Sequence, residues 1–287
     1  MSEYGAVVLY FRAGAVLADT LDALQQQTAP PQQVLVVDNA SGDGVAEQIV
    51  SDRPGVRLLA LEDNAGYAGG MNRGVSELGP GFTHLLLLTH EATLEPSSAA
   101  ELLAAAERHA AAACGPVLIR RGDGTVWSAG GTISARGATG HLAVPRDLTE
   151  PYEVDWLDGA AVLVDAEAFR QVEGFDPQFF LYWEDVDISV RLRRHGPVLC
   201  VPEATAHQET GLTPPYYASR NRILFWRKQS SPAPVVRAVG GELWSAFKEI
   251  VRRGPRPLDA CGRTMGVVDG LTGRLHPRLA RVRNRNA

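Results

Sequence analysis

The 287-residue chain contains 45% hydrophobic and 21% charged residues, which excludes intrinsic disorder for most of its length and suffices for one large domain or two small ones. No apolar run approaches the roughly 18 residues that a membrane-spanning helix requires. The net charge of −5 conceals an acidic body, residues 1–219 with 13 basic and 29 acidic side chains, and a basic region, residues 220–287 with 15 basic and four acidic side chains.

Buried strands alternate with helices in the first third of the chain. The apolar patterns predict strands at 5–11, 34–37, 56–61 and 84–88, and helices at 15–26, 44–50 and around 74–78. Farther along, the pattern predicts a hairpin at 125–128, a strand at 156–164, a helix at 184–195 and a helical basic region after 215. The alternation predicts an α/β fold with a mostly parallel central sheet and helices on both faces.

The cysteines are few and widely separated. Cys114, Cys200 and Cys261 indicate neither a disulfide framework nor a zinc site. The N-terminus lacks the basic start of a secretory signal, and Arg12 interrupts its apolar stretch. We therefore expect a cytoplasmic location.

Polar or glycine-rich segments follow each of the first four predicted strands, where ligands bind in open α/β sheets. Asp38 ends the second strand, and its carboxylate is suited to accept hydrogen bonds from a nucleobase or a ribose hydroxyl. The alternative is a structural role in a helix cap or an Asx-turn. The segment 64–74 contains four glycines with Asn72 and Arg73, which favours contact with a diphosphate at a helix start over a flexible loop.

Three acids crowd the predicted helix start at 184–187. An ionised carboxylate there, beside an aromatic wall, is suited to act as a general base for a hydroxyl group. The alternative is a solvated first turn with capping acids. Trp156 and Trp183 are candidates for stacking on a sugar, although large aromatic side chains are more often part of the core.

Four segments together resemble family-2 glycosyltransferases, and most closely their rhamnosyltransferase-like branch. They are VVDNASGDG (36–44), NAGYAGGMNRG (64–74), DGAAVLVDAEAFRQVEGFDPQFFLYWEDVDISVRLRRHG (158–196) and VPEATAHQETG (201–211). The resemblance extends from about residue 4 to residue 228. It implies a GT-A fold with a catalytic domain at 1–215, divided into a nucleotide-sugar half (1–115) and an acceptor half (116–215), and a basic helical region at 216–287.

The resemblance also implies the reaction. A sugar would pass with inversion from a UDP- or dTDP-linked donor to the hydroxyl of a glycan, a lipid-linked saccharide or a small natural product. Asp185, beside Glu184, matches the general base, and Gly159 and Ala160 match the floor of the sugar site. We assign Trp156 and Trp183 to the acceptor side. The predicted donor-binding residues are Tyr10, Arg12, Asp38, Asn64, Gly66, Gly70, Asn72, Arg73 and Glu91.

The metal motif departs from the family pattern. Where members carry Asp-x-Asp or Asn-Pro-Asp-Ala, this chain has Thr89-His90-Glu91-Ala92. Glu91 keeps a carboxylate that is one methylene longer, and His207 matches a histidine near the diphosphate or metal. The predicted site is therefore an unusual Mn²⁺ or Mg²⁺ centre at Glu91 and His207, with His90 a less favoured ligand. Two alternatives are a metal-free enzyme and a Glu91 that accepts from a donor-sugar hydroxyl.

The basic region contains an amphipathic pattern around Leu243, Trp244 and Phe247 with Arg252 and Arg253 at its end. It fits peripheral contact with the inner face of the plasma membrane, or packing on the catalytic body or on a second subunit in a homodimer. Aromatic interleaving typical of single-strand binders is missing, so nucleic acid is not an expected partner. Competing hypotheses are a catalytically silent nucleotide-sugar or glycan-binding protein, and a nucleotidyltransferase. The latter is disfavoured because the segment after the first strand is poor in glycine.

Overall fold

A ten-stranded sheet dominates the computed structural model, which describes residues 3–209, 214–253 and 257–275. Its strands and those of a small hairpin are β1 (Tyr4–Tyr10), β2 (Gln33–Asp38), β3 (Val56–Ala60), β4 (His84–Thr89), β5 (Thr93–Leu94), β6 (Ala113–Arg120), β7 (Val126–Ser128), β8 (Gly131–Ile133), β9 (Thr139–His141), β10 (Tyr152–Glu153), β11 (Ala161–Asp165) and β12 (Val198–Gln208). The helices are α1 (Val16–Gln25), α2 (Val45–Ser51), α3 (Gly66–Leu78), α4 (Ser98–His109), α5 (Ala166–Gln171), α6 (Glu184–Leu192), α7 (Pro215–Lys228), α8 (Pro232–Arg253) and α9 (Pro257–Thr272).

The main sheet has the order β10-β12-β6-β11-β4-β1-β2-β3. The first four strands pair in parallel, because each is followed by a crossover helix. β11 enters antiparallel between β4 and β6, and β12 pairs in parallel with β6. The predicted α/β class is confirmed, with the parallel pairing concentrated in the first half of the sheet.

Helices cover both faces of the sheet, as the buried strands predict. β1 is buried along its whole length. On one face it packs with Leu17 and Leu21 of α1 and Leu102 of α4, and on the other face with Met71 of α3 and Ile188 of α6. The two layers place the carboxyl ends of β1, β2 and β4 at one edge, where a ligand can approach.

The glycines of the 64–74 segment have a packing role that the sequence analysis did not anticipate. The segment is mostly helix, since α3 begins at Gly66. A Cβ on Gly70 would lie 2.6 Å from Leu9, and one on Gly74 would lie 2.5 Å from Val7. These glycines therefore allow α3 to lie close against the sheet, and the contact of this helix start with a diphosphate stays a prediction.

Two other predicted elements are shorter than expected. The strand predicted at 156–164 begins only at Ala161, and the helix predicted at 184–195 ends at Leu192. The residues before Ala161 turn across the end of the sheet, where backbone and side chains line a cavity. This turn is what brings the polar segment 158–160 to the ligand edge.

The described part of the basic region contains the helices α7, α8 and α9, and α7 and α9 pack closely on each other. α8 buries Ala238 and Ala246 but leaves an apolar face exposed to solvent. This α8 apolar face consists of Val236, Leu243, Trp244, Phe247, Ile250 and Val251. None of the helices in the described parts of the chain combines the length and hydropathy that crossing a bilayer requires.

Candidate active site

A cavity of about 500 Å³ lies at the carboxyl ends of β1 and β4 and the start of α6. Its walls come from segments that are remote along the chain. They are Leu9 and Phe11, Asn39, the start of α3, residues 89–91, Trp127, residues 139–141, Trp156, residues 158–160, residues 180–186 and residues 208–209. A cavity at this edge of an α/β sheet is the expected place for a ligand.

Nine of the predicted site residues line this cavity. They are Asn64, Gly66, Glu91, Trp156, Gly159, Ala160, Trp183, Glu184 and Asp185. The Tyr67 hydroxyl donates to the Gly159 carbonyl (2.6 Å) and holds the floor against α3. The structure therefore brings the predicted base, the predicted floor of the sugar site and Glu91 together.

The predicted nucleoside contacts lie beside the cavity and do not line it. Asp38 is buried, and its Oδ1 accepts from the Ser41 amide (2.9 Å), which is the turn contact that the sequence left open as its alternative. The Tyr10 hydroxyl donates to Asp43 Oδ2 (2.9 Å), and Arg12 Nε donates to the Ser41 carbonyl (3.0 Å). In this structure the three side chains stabilise the turn after β2, and a direct contact with a nucleoside remains a prediction.

Asn72 and Arg73 also lie outside the cavity, and their predicted contact with the donor stays a prediction. Arg73 is exposed on α3. Asn72 Nδ2 donates to the Phe175 carbonyl (2.7 Å), and its Oδ1 accepts from the Phe175 amide (2.9 Å). Asn72 therefore joins α3 to the segment that follows α5. Gly70, which packs on Leu9, likewise contributes to packing and not to the cavity wall.

Replacing Asn72 with Ala is expected to reduce stability and leave nucleotide affinity nearly unchanged. The change removes both hydrogen bonds to the Phe175 backbone, which should cost about 2–3 kcal/mol of unfolding free energy. Urea denaturation measures the loss, and calorimetry with nucleoside diphosphates measures affinity. A loss of affinity of tenfold or more (about 1.4 kcal/mol) without a change in the urea midpoint would contradict this structural role.

The three acids in the first turn of α6 have different contacts. Asp187 pairs with Arg191 (2.7 Å), and Arg191 Nη1 in turn donates to the carbonyls of Val172 and Gly174. This acid therefore has a structural role. Glu184 and Asp185 face the cavity instead, Glu184 buried and Asp185 half-buried.

Burial and mutual repulsion keep a proton on this acidic pair at neutral pH. Burial, and then the charge of Asp185, raises the pKa of Glu184 well above its usual range. Burial, and then the charge of Asp158, raises the pKa of Asp185 to about 7. Burial thus favours the neutral form of Glu184, whereas Asp185, with a pKa of about 7, is poised between its two forms, as suits a general base.

Asp158 is a cavity residue that the sequence analysis missed. Its Oδ1 accepts from the Ala160 amide (2.9 Å), and its Oδ2 accepts from Trp127 Nε1 (2.9 Å). The His141 ring lies between Trp127 and Trp156, with both centroid distances 4.7 Å. The available signal was an acid directly before the predicted sugar-site floor, Gly159-Ala160.

Removing the Asp158 charge is expected to move the acid limb of the pH–rate profile to lower pH. In Asp158→Asn the ionised form of Asp185 is no longer opposed by that charge, so the pKa of Asp185 falls and activity persists about one pH unit lower. The logarithm of kcat/KM plotted against pH measures this shift. Asp155→Asn, which removes an acid outside the cavity, is the matched control. An unchanged acid limb in Asp158→Asn would contradict the prediction.

Asn39 is a second residue that the sequence analysis missed. Its Nδ2 donates to Asn64 Oδ1 (3.1 Å) and to the Gly66 carbonyl (3.0 Å), and its Oδ1 accepts from the Ala65 amide (2.9 Å). It therefore fixes the turn that enters α3. The sequence signal for Asn39 was its position directly after Asp38 at a strand end. Successive strand residues point to opposite sides of the sheet, so Asn39 has other neighbours than Asp38.

The predicted metal ligands are not brought together. Glu91 lines the cavity, and burial, with the charges of Glu209 and Asp158, raises its pKa to about 7. His207 lies outside, with Nε2 2.7 Å from Glu95 Oε1. His90 Nδ1 donates to the Leu9 carbonyl (3.0 Å), the structural role that the sequence favoured for it. Among residues 3–209, 214–253 and 257–275, no three His, Cys, Asp or Glu side chains cluster suitably for a metal ion. Neither Glu91 nor His207 belongs to such a cluster, and metal binding by this pair stays a prediction.

Comparison with known proteins agrees with this architecture. The chain is 35% identical over 216 residues to the N-acetylglucosaminyl-diphospho-decaprenol L-rhamnosyltransferase of Mycobacterium tuberculosis, an alignment that covers 66% of this chain and 70% of that one. The fold of this chain is similar to that of a mannosyltransferase from Pyrobaculum calidifontis in complex with GDP-Man and Mn²⁺, with a TM-score of 0.62 and 12% identity over 96% of this chain and 88% of that one. It is also similar to GalNAc-T7 with UDP, GalNAc and Mn²⁺, with a TM-score of 0.64 and 15% identity over 80% of this chain and 51% of that one.

The fold is therefore that of the GT-A glycosyltransferases, as predicted. Residues 2–225 match the model of the glycosyltransferase-like family 2. The chain belongs to this family, and the prediction that it is a glycosyltransferase is confirmed. The family match ends within α7, so α8 and α9 lie beyond it.

Proposed function

We propose that the chain transfers a sugar, with inversion, from a nucleoside-diphosphate donor to an acceptor hydroxyl. The observation that carries this proposal is the Asp185 carboxylate at the start of α6, which faces the cavity while backbone amides orient it. Its Oδ1 accepts from the Val186 amide (2.8 Å), and its Oδ2 lies 3.4 Å from the Gly159 amide nitrogen. A carboxylate with a pKa of about 7 is partly ionised at neutral pH, so it can accept a proton from a hydroxyl group.

In the proposed step, Asp185 removes the proton of the acceptor hydroxyl as its oxygen forms a bond to the anomeric carbon. The bond between that carbon and the diphosphate oxygen breaks on the opposite face, and its electron pair leaves with the nucleoside diphosphate. Glu184 is buried beside Asp185, and burial, followed by the charge of Asp185, favours the protonated form of Glu184.

We place the nucleoside diphosphate at the edge bounded by Phe11, Asn39 and Asn64, beyond β1 and β2. Asp38 lies directly behind this edge, so the predicted nucleoside contact requires only a local rearrangement of the turn after β2. We place the sugar over Gly159 and Ala160, and the acceptor between Trp183 and the β9 hairpin. The proposed roles are supported by these positions and by family membership.

We propose L-rhamnose or a related sugar on a dTDP or UDP carrier as the donor, and a polyprenyl-diphosphate-linked saccharide as the acceptor. This rests on the mycobacterial relative, whose name specifies L-rhamnosyl transfer to N-acetylglucosaminyl-diphospho-decaprenol. The test is a panel of UDP-, dTDP- and GDP-sugars assayed for nucleoside diphosphate release, with and without Mn²⁺ and a polyprenyl-diphosphate acceptor. Release with a dTDP- or UDP-sugar supports the proposal. Binding without turnover favours a silent binding protein, and pyrophosphate release favours a nucleotidyltransferase.

We further propose that the α8 apolar face contacts an anionic membrane surface, where a lipid-linked acceptor resides. Trp244 and Phe247 are each more than half exposed and stack on each other, with ring centroids 5.5 Å apart. Lys248 Nζ lies 6.0 Å from the centroid of the Trp244 ring, so a cation accompanies the aromatic pair. Aromatic and aliphatic side chains beside basic groups are typical of helices that lie in the headgroup region. Arg252 and Arg253, the predicted cationic end, have side chains outside the described residues.

The double variant Trp244→Gln/Phe247→Gln is expected to lose most of its binding to vesicles of phosphatidylglycerol and phosphatidylcholine, by about tenfold or more. Co-sedimentation measures the loss, with vesicles of phosphatidylcholine alone testing the charge requirement. Val144→Gln/Leu148→Gln, which removes two even more exposed apolar residues elsewhere, is the matched control and should bind normally. A lipid-independent dimer that the Trp244 and Phe247 changes disrupt would contradict the proposal and assign the face to a second subunit.

A further inference from the structure

The segment that precedes Glu184 and Asp185 has an unusual backbone. Phe180, Tyr182 and Trp183 have φ angles of 63°, 68° and 73°. Residues with a Cβ atom rarely adopt this left-handed conformation, and the surrounding structure must stabilise it where it persists. The last of them, Trp183, is the N-terminal flanking residue of α6, so this backbone sets the direction in which α6 begins.

A single buried side chain of α7 contacts the backbone of this segment three times. Asn221 Nδ2 lies 2.8 Å from each of the carbonyl oxygens of Phe179, Leu181 and Tyr182. Asn221 is fully buried. Its two amide hydrogens are shared among three acceptors, which only a tightly curved backbone can bring to one point. The curvature of the segment and the position of Asn221 are therefore mutually dependent.

Arg220, its neighbour, fixes Asn221 and the start of the segment. Its Nη1 donates to Asn221 Oδ1 and to the Gln178 carbonyl (2.8 Å). Its Nε donates to the Arg274 carbonyl (2.6 Å), just after α9. Arg220 is 1% exposed although it is charged. Burial lowers its pKa, and nearby groups, Asp269 and Asp176 among them, oppose that shift. A buried guanidinium is retained where several carbonyls surround it.

We propose that Asn221, supported by Arg220, is a positioning residue for the acidic pair at the start of α6. The contacts hold the 178–183 backbone in the conformation that directs Glu184 and Asp185 into the cavity. The helices after the catalytic sheet thus complete the active site. This inference rests on the proposed function, because it assigns the positioned carboxylate the role of base.

Two variants of α7 separate positioning from stability. Asn221→Asp keeps the shape of the side chain but directs carboxylate oxygens at the three carbonyls in place of N–H donors. Ser219→Ala is the matched control. Ser219 is fully buried on the same helix, and its Oγ donates to Glu242 Oε2 (2.7 Å) on α8, away from the 178–183 backbone. Ser219→Ala therefore removes a buried polar contact of α7 and leaves the contacts to the 178–183 backbone in place.

Asn221→Asp is expected to lower kcat about 100-fold, because a displacement of the base by about 1 Å has an effect of that order. Its affinity for nucleoside diphosphates should stay close to that of the wild type, because that edge of the cavity is formed by β1 and β2. Hydrogen–deuterium exchange of amides 178–186 should accelerate. Ser219→Ala should lower the melting temperature while kcat and exchange in 178–186 stay at wild-type values.

A wild-type kcat in Asn221→Asp, or a fall matched by Ser219→Ala at equal loss of melting temperature, would overturn the proposal. Hydrogen–deuterium exchange is measured on the full chain without substrate. It therefore tests the positioning even if the protein transfers no sugar from any donor. Absence of turnover in the wild type would then count against the proposed function alone. If Asn221→Asp does not fold, Arg220→Lys, which keeps the charge and removes the paired contacts, should show the same exchange change and a smaller loss of kcat.

Discussion

Replacing Asp185 with Asn should lower kcat by about 10²- to 10⁴-fold while nucleoside diphosphate affinity is retained, since general-base assistance is worth that much. The substitution preserves the shape of the side chain and its contact with the Val186 amide, so the fold should be unaffected. Nucleoside diphosphate release under saturating donor and acceptor measures kcat, and calorimetry measures affinity. The residual rate reports what binding and orientation contribute without the base.

Glu184→Gln is the matched control for this variant. Glu184 is adjacent and buried, and burial raises its pKa, so the uncharged glutamine imitates the form that burial favours. Its kcat should fall by less than about tenfold, well below the typical effect of losing a general base. The opposite order, an active Asp185→Asn and an inactive Glu184→Gln, would assign the base to Glu184.

Gly66→Ala should destabilise the protein by about 3 kcal/mol or more and abolish turnover. Gly66 has a φ of +72°, and a Cβ there would lie 2.2 Å from the Phe180 carbonyl oxygen. The same carbonyl accepts from the Tyr67 amide (2.6 Å), so it cannot move away without breaking the contact between α3 and the segment before α6. Urea denaturation measures the stability, and product release measures the turnover.

Gly44→Ala separates backbone strain from steric overlap. Gly44 has a φ of +70° and likewise stands at a helix start, but a Cβ there meets no atom within 4 Å. Its loss should be about 1 kcal/mol, from the left-handed conformation alone. Equal losses in the two variants would show that the contact with Phe180 is not limiting.

Much of the fold could be predicted because its signals are local. Continuous apolar runs mark β1, β2 and β4, and the observed ends of these three strands lie within about one residue of the predicted ends. Glu184, Asp185 and Glu91 stand at a helix start or a strand end, and the family resemblance pointed to Gly159. All four line the cavity. The division of the chain into domains at 115 and 215 remains a prediction.

The direction of individual side chains could not be predicted in the same way. Asn72 lies in a motif that resembles a donor loop, yet it contacts the backbone of Phe175, 103 residues away. Asn221 carries no local pattern that distinguishes it from other polar residues, and Asp158 has only its position directly before Gly159. Their roles follow from neighbours that arrive only when the second half of the sheet and α7 are in place.

The order of residues alone thus determined the α/β class, the family and the carboxylates that stand beside the predicted sugar site. Tertiary structure decided which polar groups share the cavity, what raises their pKa values and which contacts hold α6 in place. The reason is physical: strand and helix formation depends on periodic burial of near neighbours, whereas desolvation, charge repulsion and backbone strain depend on groups that meet in space across long stretches of chain.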